Sequence, residues 1–191
     1  MLAGADHQAF LHLAPVDYEA LIVRTARRWS GVADRRWGVD SLVEGVLTCD
    51  EIRVESALDA LIENAIAVTG PDDRITIIGR CQADEALLEV ADEGPGIAPE
   101  HLPLIFDRFF RPTTARAERR RGTGLGLAIV RAIAEAYGGS ASVTSTVGVG
   151  TTFTLRLPRF AGGDAVYPTD HGSLVASGRL IPAPSHSLGE G

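Results

Sequence analysis

The sequence predicts an α/β fold in one domain, with amphipathic helices laid against a sheet of short strands. Three observations carry that reading. Three segments repeat apolar residues at helical spacing with one apolar stripe each, several short segments alternate apolar and polar residues, and a polar turn joins two of these in a hairpin. At 191 residues the chain suits a single core, since domains commonly close at about 100–200 residues.

The elements follow in order. Asp17 precedes Tyr18, Leu21, Ile22, Thr25, Ala26 and Trp29, an i, i+3, i+4, i+7 series that makes a first helix with Asp17 as its cap. Residues 36–40 and 42–48 read as two short strands. Asp50 then caps a second helix, with Ile52, Val54, Leu58, Leu61, Ile62, Ala65 and Ile66 as its apolar face and Gly70-Pro71 as its stop. Residues 74–81 and 86–92 alternate around a polar turn at Ala83, Asp84 and Glu85. From 93 to 126 glycine and proline interrupt nearly every periodic run, and long loops of this kind are usually lids or binding loops. A third helix spans 125–137, ended by Gly138-Gly139, and strands at 140–146 and 151–157 follow around a turn at 147–150. After Pro158 the composition shifts to Gly, Pro, Ser and Ala, which cannot bury enough surface to offset the entropy of ordering. The expected organisation is an N-terminal extension at 1–15, a folded domain at 16–160 and a disordered tail at 161–191.

Composition excludes several functions. A net charge of −7 argues against a broad nucleic-acid footprint. All 18 basic residues are arginine, so every mechanism that needs a lysine amine is closed, including the P-loop lysine, the protein-kinase ATP lysine and Schiff bases. No apolar run approaches the ~18 residues of a membrane span, and residues 1–9 carry neither leader nor lipidation pattern, so the expectation is a cytoplasmic protein without membrane insertion. Cys49 and Cys81 lack zinc spacing and read as reduced core thiols.

Three clusters need a joint explanation: Glu63-Asn64-Ala65 on the second helix, DEGPGI at 92–97, and GTGLGLAIV at 122–130. The last is neither a Rossmann fingerprint nor a Walker loop, yet it feeds a backbone poor in side chains into a helix N-terminus. Free N–H groups and the positive dipole end there favour a polyphosphate. DEGPGI puts a carboxylate at a strand end, where Asp92 could accept a hydrogen bond from an adenine amino group and discriminate it from guanine. Taken alone, the same segment could be an ordinary Asp-Gly turn.

In this order the clusters resemble the ATP-binding catalytic domain of sensor histidine kinases, within the GHKL ATPase superfamily. LDALIENA resembles the asparagine box, DEGPGI the first glycine box, LPLIFDRFFRP the phenylalanine box, GTGLGLAIV the second glycine box and GVGTTFTLRLP the closing strand, together covering residues 17–158. The resemblance implies a two-layer sandwich, a mixed and mainly antiparallel sheet with three helices on one face, which fits one apolar stripe per helix. It implies ATP and Mg2+ as ligands. Asp92 would hold adenine, with Gly94 and Gly96 beneath it, Ile97 in the same site and Thr151 supporting the ring, while Asn64 would ligate Mg2+, which takes few protein ligands beside nucleotide phosphates. Gly122, Thr123, Gly124, Leu125, Gly126 and Leu127 would frame the triphosphate. Of Arg111, Arg116, Arg119, Arg120 and Arg121 in the lid, Arg121 is the one assigned to the phosphates.

Departures from the family pattern carry their own expectations. Ala60 stands one turn before Asn64, where relatives carry Asn or a water-activating Glu, so intrinsic hydrolysis should be weak; Ala67 and Val68 replace a basic and an aromatic residue. No histidine is followed by an acidic residue as a phosphoacceptor would be, and His7, His12, His101, His171 and His186 read as surface histidines. The resemblance therefore implies transfer of the γ-phosphoryl group to a histidine on a dimerisation or phosphotransfer domain in cis or trans, and indirectly to a response regulator. An anti-sigma-type serine kinase and a silent nucleotide-sensing module are the alternatives.

Overall fold

The computed structural model describes residues 11–111 and 123–162. Along the chain these form β1 (Ala14–Asp17), α1 (Tyr18–Ser30), β2 (Arg36–Asp40), β3 (Gly45–Cys49), α2 (Glu51–Val68), β4 (Arg74–Gln82), β5 (Glu85–Asp92), a 3-10 turn (Pro99–Leu104), α3 (Gly126–Ala136), β6 (Ser140–Thr146), β7 (Gly150–Pro158) and β8 (Phe160–Gly162). Five strands make one sheet in the order β2-β4-β5-β7-β6, with β2 parallel to β4 and the other pairs antiparallel.

Strand alternation sorts this sheet into two faces. Ile75 and Ile77 of β4, Leu88 and Val90 of β5, and Phe153 and Leu155 of β7 fall on the same face, with Ile77, Val90 and Phe153 in one row, and all are buried. They share one core with Leu21 and Ile22 of α1, Leu58, Leu61 and Ile62 of α2, and Val130 and Ile133 of α3. The opposite face is polar, with Arg80 paired to Glu89 and Arg156 to Glu85. This is the two-layer, mainly antiparallel sandwich that the sequence predicts.

Both predicted caps form: the Asp17 carboxylate accepts from Ala20 N–H at 2.9 Å and Asp50 from Arg53 N–H at 3.3 Å, each type of cap contributing about 1 kcal/mol. Tyr137, just after α3, accepts from the buried Asp50 N–H at 2.9 Å and donates to the Asp50 carbonyl at 3.2 Å, so the end of α3 holds the start of α2. The buried Tyr18 hydroxyl donates to the Leu87 carbonyl at 2.8 Å and pins α1 to β5. Arg24 and Arg28 reach from α1 to Glu51, Glu55 and Asp59, one α2 turn apart.

Several expectations are corrected. A second sheet, β1-β3-β8, takes in Ala14 and Pro15 at one end and Ala161 and Gly162 at the other, so the paired backbone runs beyond 16–160 in both directions. Strands of three and four residues are too short to show an alternation. Ile52 is 76% exposed because it lies about 200° round α2 from Val54, while Ala57 takes a place on the buried stripe. Cys49 is buried, while Cys81 packs against the core from a half-buried position near the end of β4. The long loop carries a 3-10 turn, and His101 there is half-buried, its ring 5.7 Å from that of Phe110. The expected disorder of the tail, together with His7, His171 and His186, falls outside the described residues.

Candidate functional site

The site is organised along one stripe of α2. Ala60, Asn64 and Val68 are four residues apart, so they lie on nearly one face over about 12 Å of helix. At one end of the stripe a Cβ built on Gly126 would sit 3.8 Å from the Ala60 methyl; at the other, a Cβ on Gly94 would come within 2.9 Å of Val68. The helix thus brings the first turn of α3 and the DEGPGI segment to either side of Asn64, which is half-buried between them. Three clusters far apart in sequence meet here.

Asp92 closes the Gly94 end. It is the last residue of β5, on the inward face, and 6% exposed. One carboxylate oxygen, Oδ1, accepts from Gly94 N–H at 2.9 Å. The other, Oδ2, is buried and has no hydrogen-bond partner among the described residues. Burial pushes the Asp92 pKa from 3.8 up to about 6, against the opposing pull of the Gly94 and Thr151 backbone groups and with a small push from Asp73. A buried carboxylate oxygen without a hydrogen-bond partner is costly, so the position calls for a donor from outside the described residues.

Thr151 stands directly opposite Asp92 in the β5–β7 ladder, also buried. Next in the same row is Ser145 of β6, opposite Thr151. The Ser145 hydroxyl accepts from Ile97 N–H at 2.8 Å, donates to the Gly150 carbonyl at 2.8 Å and lies 3.0 Å from Thr151 Oγ1. Gly148 N–H donates to the Pro95 carbonyl at 2.9 Å, so the β6–β7 turn clips the DEGPGI loop down. Gly96 belongs to this clip: at φ +72° its absent Cβ would be 2.2 Å from the Thr146 carbonyl oxygen.

The other end is built from the phenylalanine-rich segment and the start of α3. Phe106 is buried edge-on to Phe153 with ring centres 6.1 Å apart. Phe109 adopts φ +65°, is 70% exposed, and donates its N–H to the Gly124 carbonyl at 2.9 Å. Gly124, at φ +70°, passes so close that a Cβ would meet the Phe109 Cα at 2.9 Å. Leu125 caps α3 without any side-chain hydrogen bond to the first turn, which leaves those N–H groups available to an anion. Thr123 is exposed, Leu125 half-buried, and Leu127 packs partly on the core. Asp107 and Arg131, 3.3 Å apart, tie the two segments.

Asp59 is engaged elsewhere, accepting from Arg28 at 2.5 Å and from Trp29 Nε1 at 2.7 Å, and Glu63 is exposed. Neither takes the place of a water-activating acid at Ala60. Arg121, Gly122 and Arg116, Arg119 and Arg120 lie outside the described residues. Among the described residues no cluster of three His, Cys, Asp or Glu side chains could hold a metal, and no helix is long and apolar enough to cross a membrane. Sequence reasoning missed Ser145; its signal is a hydroxyl at an inward register, after Ala141 and Val143.

The family described as histidine kinase-, DNA gyrase B- and HSP90-like ATPase matches residues 49–161, more than half of the chain. Among curated proteins, the sensor protein SrrB of Staphylococcus aureus (strain MRSA252) is 46% identical over 114 residues, 60% of this chain and 20% of its own length. The chain thus aligns with about a fifth of the curated relatives it matches. Among solved structures, the mycobacterial sensor histidine kinase MprB is 30% identical with a TM-score of 0.65, covering 76% of this chain and 97% of that one. Full-length ShkA in complex with AMPPNP is 30% identical with a TM-score of 0.66, covering 85% of this chain and 35% of that one. With the unpartnered Asp92 Oδ2 at one end of the α2 stripe and the start of α3 at the other, these matches mean that the chain belongs to the histidine kinase-, DNA gyrase B- and HSP90-like ATPase family and carries the ATP-binding catalytic domain of a sensor histidine kinase.

Proposed function

We propose that this domain binds ATP with Mg2+ and transfers the γ-phosphoryl group to a histidine carried by a dimerisation or phosphotransfer domain, in cis or on a partner, from which a response regulator is phosphorylated. The observation that carries the nucleotide half is the buried Asp92 Oδ2, which has no partner among the described residues, at the opposite end of the α2 stripe from a helix start whose N-cap residue, Leu125, makes no side-chain cap. The adenine amino group would donate to Asp92, and the phosphates would lie against the backbone of Thr123, Gly124, Leu125, Gly126 and Leu127. Gly122 and Arg121 belong to the same proposal.

Asn64 is the residue we assign to the metal. A neutral amide oxygen suits Mg2+, which keeps most of its waters and takes the rest of its ligands from phosphates. When bound, the ion would neutralise charge on the transferring group. The chain's own residues position the nucleotide. Because a methyl stands at Ala60 and Asp59 is held by Arg28 and Trp29, no acid on this helix stripe among the described residues is poised to activate water, so ATP should persist until an acceptor arrives. ATP supply and a partner histidine together fit a cytoplasmic site.

Incubation with radiolabelled ATP and a cognate helical-hairpin domain bearing the acceptor tests the reaction. Acid-labile, base-stable label on the partner supports it, and lost with Asn64→Ala it assigns the residue. Phosphoserine on the partner would instead select the anti-sigma-type serine kinase, and no transfer to any cognate partner despite ATP binding would select the silent module.

A further inference from the structure

We propose that Ser145 is a positioning residue for base recognition, fixing the Thr151 hydroxyl as a pure acceptor so that the Asp92 end of the site rejects a 6-oxo purine. This rests on the adenine reading of Asp92 given above. The argument is a count of protons. A serine hydroxyl has one hydrogen to give and two lone pairs to receive with. The Gly150 carbonyl, 2.8 Å from Ser145 Oγ, can only accept, so the single Ser145 proton goes there. One lone pair takes the Ile97 N–H at 2.8 Å. The remaining contact, 3.0 Å to Thr151 Oγ1, then has Thr151 as its donor. Its only proton is spent on Ser145.

What Thr151 keeps is its acceptor capacity. It sits across the ladder from Asp92, on the same inward face, and both side chains are buried. Asp92 Oδ2 is itself an acceptor without a partner among the described residues. Two neighbouring acceptors, one of them without a partner among the described residues, call for a ligand edge that presents donors, such as an exocyclic amino group, and oppose a carbonyl oxygen at the same place. Without Ser145 the Thr151 hydroxyl is free to turn and donate, and half of that discrimination disappears. Asp92 alone therefore does not account for base choice; a residue one strand further out sets the polarity of its neighbour.

The test is calorimetric titration of the full chain with ATP and with inosine triphosphate, which carries a 6-oxo group in place of the amino group. The wild type is expected to prefer ATP. Ser145→Ala should narrow the ATP-to-ITP affinity ratio by about fivefold or more, while Ser145→Thr, which restores a hydroxyl, should keep it. In a Thr151→Val background, where no hydroxyl remains to be oriented, Ser145→Ala should leave the ratio unchanged. A ratio untouched by Ser145→Ala, or one that shifts equally with and without the Thr151 hydroxyl, overturns the proposal while leaving the adenine site standing. Should Ser145→Ala not fold, Thr151→Val decides alone: loss of ATP affinity with ITP affinity unchanged supports an accepting hydroxyl, and a greater loss for ITP overturns it. Failure of the wild type to bind ATP at all sinks the nucleotide reading itself.

Discussion

Replacing Asp92 by asparagine keeps the shape of the side chain and removes its charge, which separates the penalty of burying a carboxylate from its use. Burial holds the Asp92 pKa at about 6 in the folded chain against an ordinary 3.8, a difference of about 2 units or ~3 kcal/mol. Between those two values the folded protein keeps a proton that the unfolded chain has lost, so stability falls as pH rises through this window and is level above about 6. About 2 kcal/mol of that fall lies between pH 4.5 and 7.5. Asp92→Asn does not titrate and should be spared it. Urea denaturation without nucleotide should therefore show the variant gaining about 2 kcal/mol on the wild type when the buffer moves from pH 4.5 to 7.5, a comparison in which pH-independent effects of the substitution cancel. The same variant should lose ATP affinity by roughly 10- to 150-fold, the worth of a charge-assisted hydrogen bond at about 1.5–3 kcal/mol. An equal difference at both pH values, or unchanged ATP binding, would refute the reasoning.

Other consequences are open to direct measurement. Wild-type ATP affinity should drop about tenfold per unit as pH falls below 6, because the protonated carboxyl no longer competes as an acceptor, and calorimetry on Asp92→Asn should show no such dependence on this group. Asn64→Ala should bind ATP without Mg2+ as the wild type does and lose the gain that Mg2+ brings, read by titration at two metal concentrations. Tyr137→Phe, which strips the buried Asp50 N–H and carbonyl of their partner, should cost about 1–3 kcal/mol by urea denaturation with little change in nucleotide affinity once folded. Gly96→Ala forces a Cβ against the Thr146 carbonyl at a positive φ and should loosen the DEGPGI loop, seen as faster amide exchange at Ile97 and weaker ATP binding.

The long amphipathic elements were legible because each carries its own period and punctuation. Asp17 and Asp50 cap the helices that their positions announce, and β4 and β5 pair as the alternation on either side of Ala83 to Glu85 requires. The small sheet was not, since β1 and β8 gain their conformation from β3 and show no period of their own. In the site, Asp92 and the glycines announce themselves through residue type, because a carboxylate or a glycine run at an element boundary asks for a reason, whereas Asn64 stands out only in the company of both glycine segments. Ser145 does not. Its importance depends on register, on Thr151 facing it and on Ile97 folding back to it, and none of these is written in neighbouring letters. The close approach of Gly96 to Thr146 was equally illegible, because it is set by a turn some fifty residues away.

The most direct measurement is a crystal structure of the domain soaked with a non-hydrolysable ATP analogue and Mg2+. The account predicts the adenine amino group within hydrogen-bond distance of Asp92 Oδ2, the ion beside Asn64 and the phosphates against the first turn of α3. A nucleotide found elsewhere, or one lying in the cleft with its phosphates towards Asp92, would contradict it.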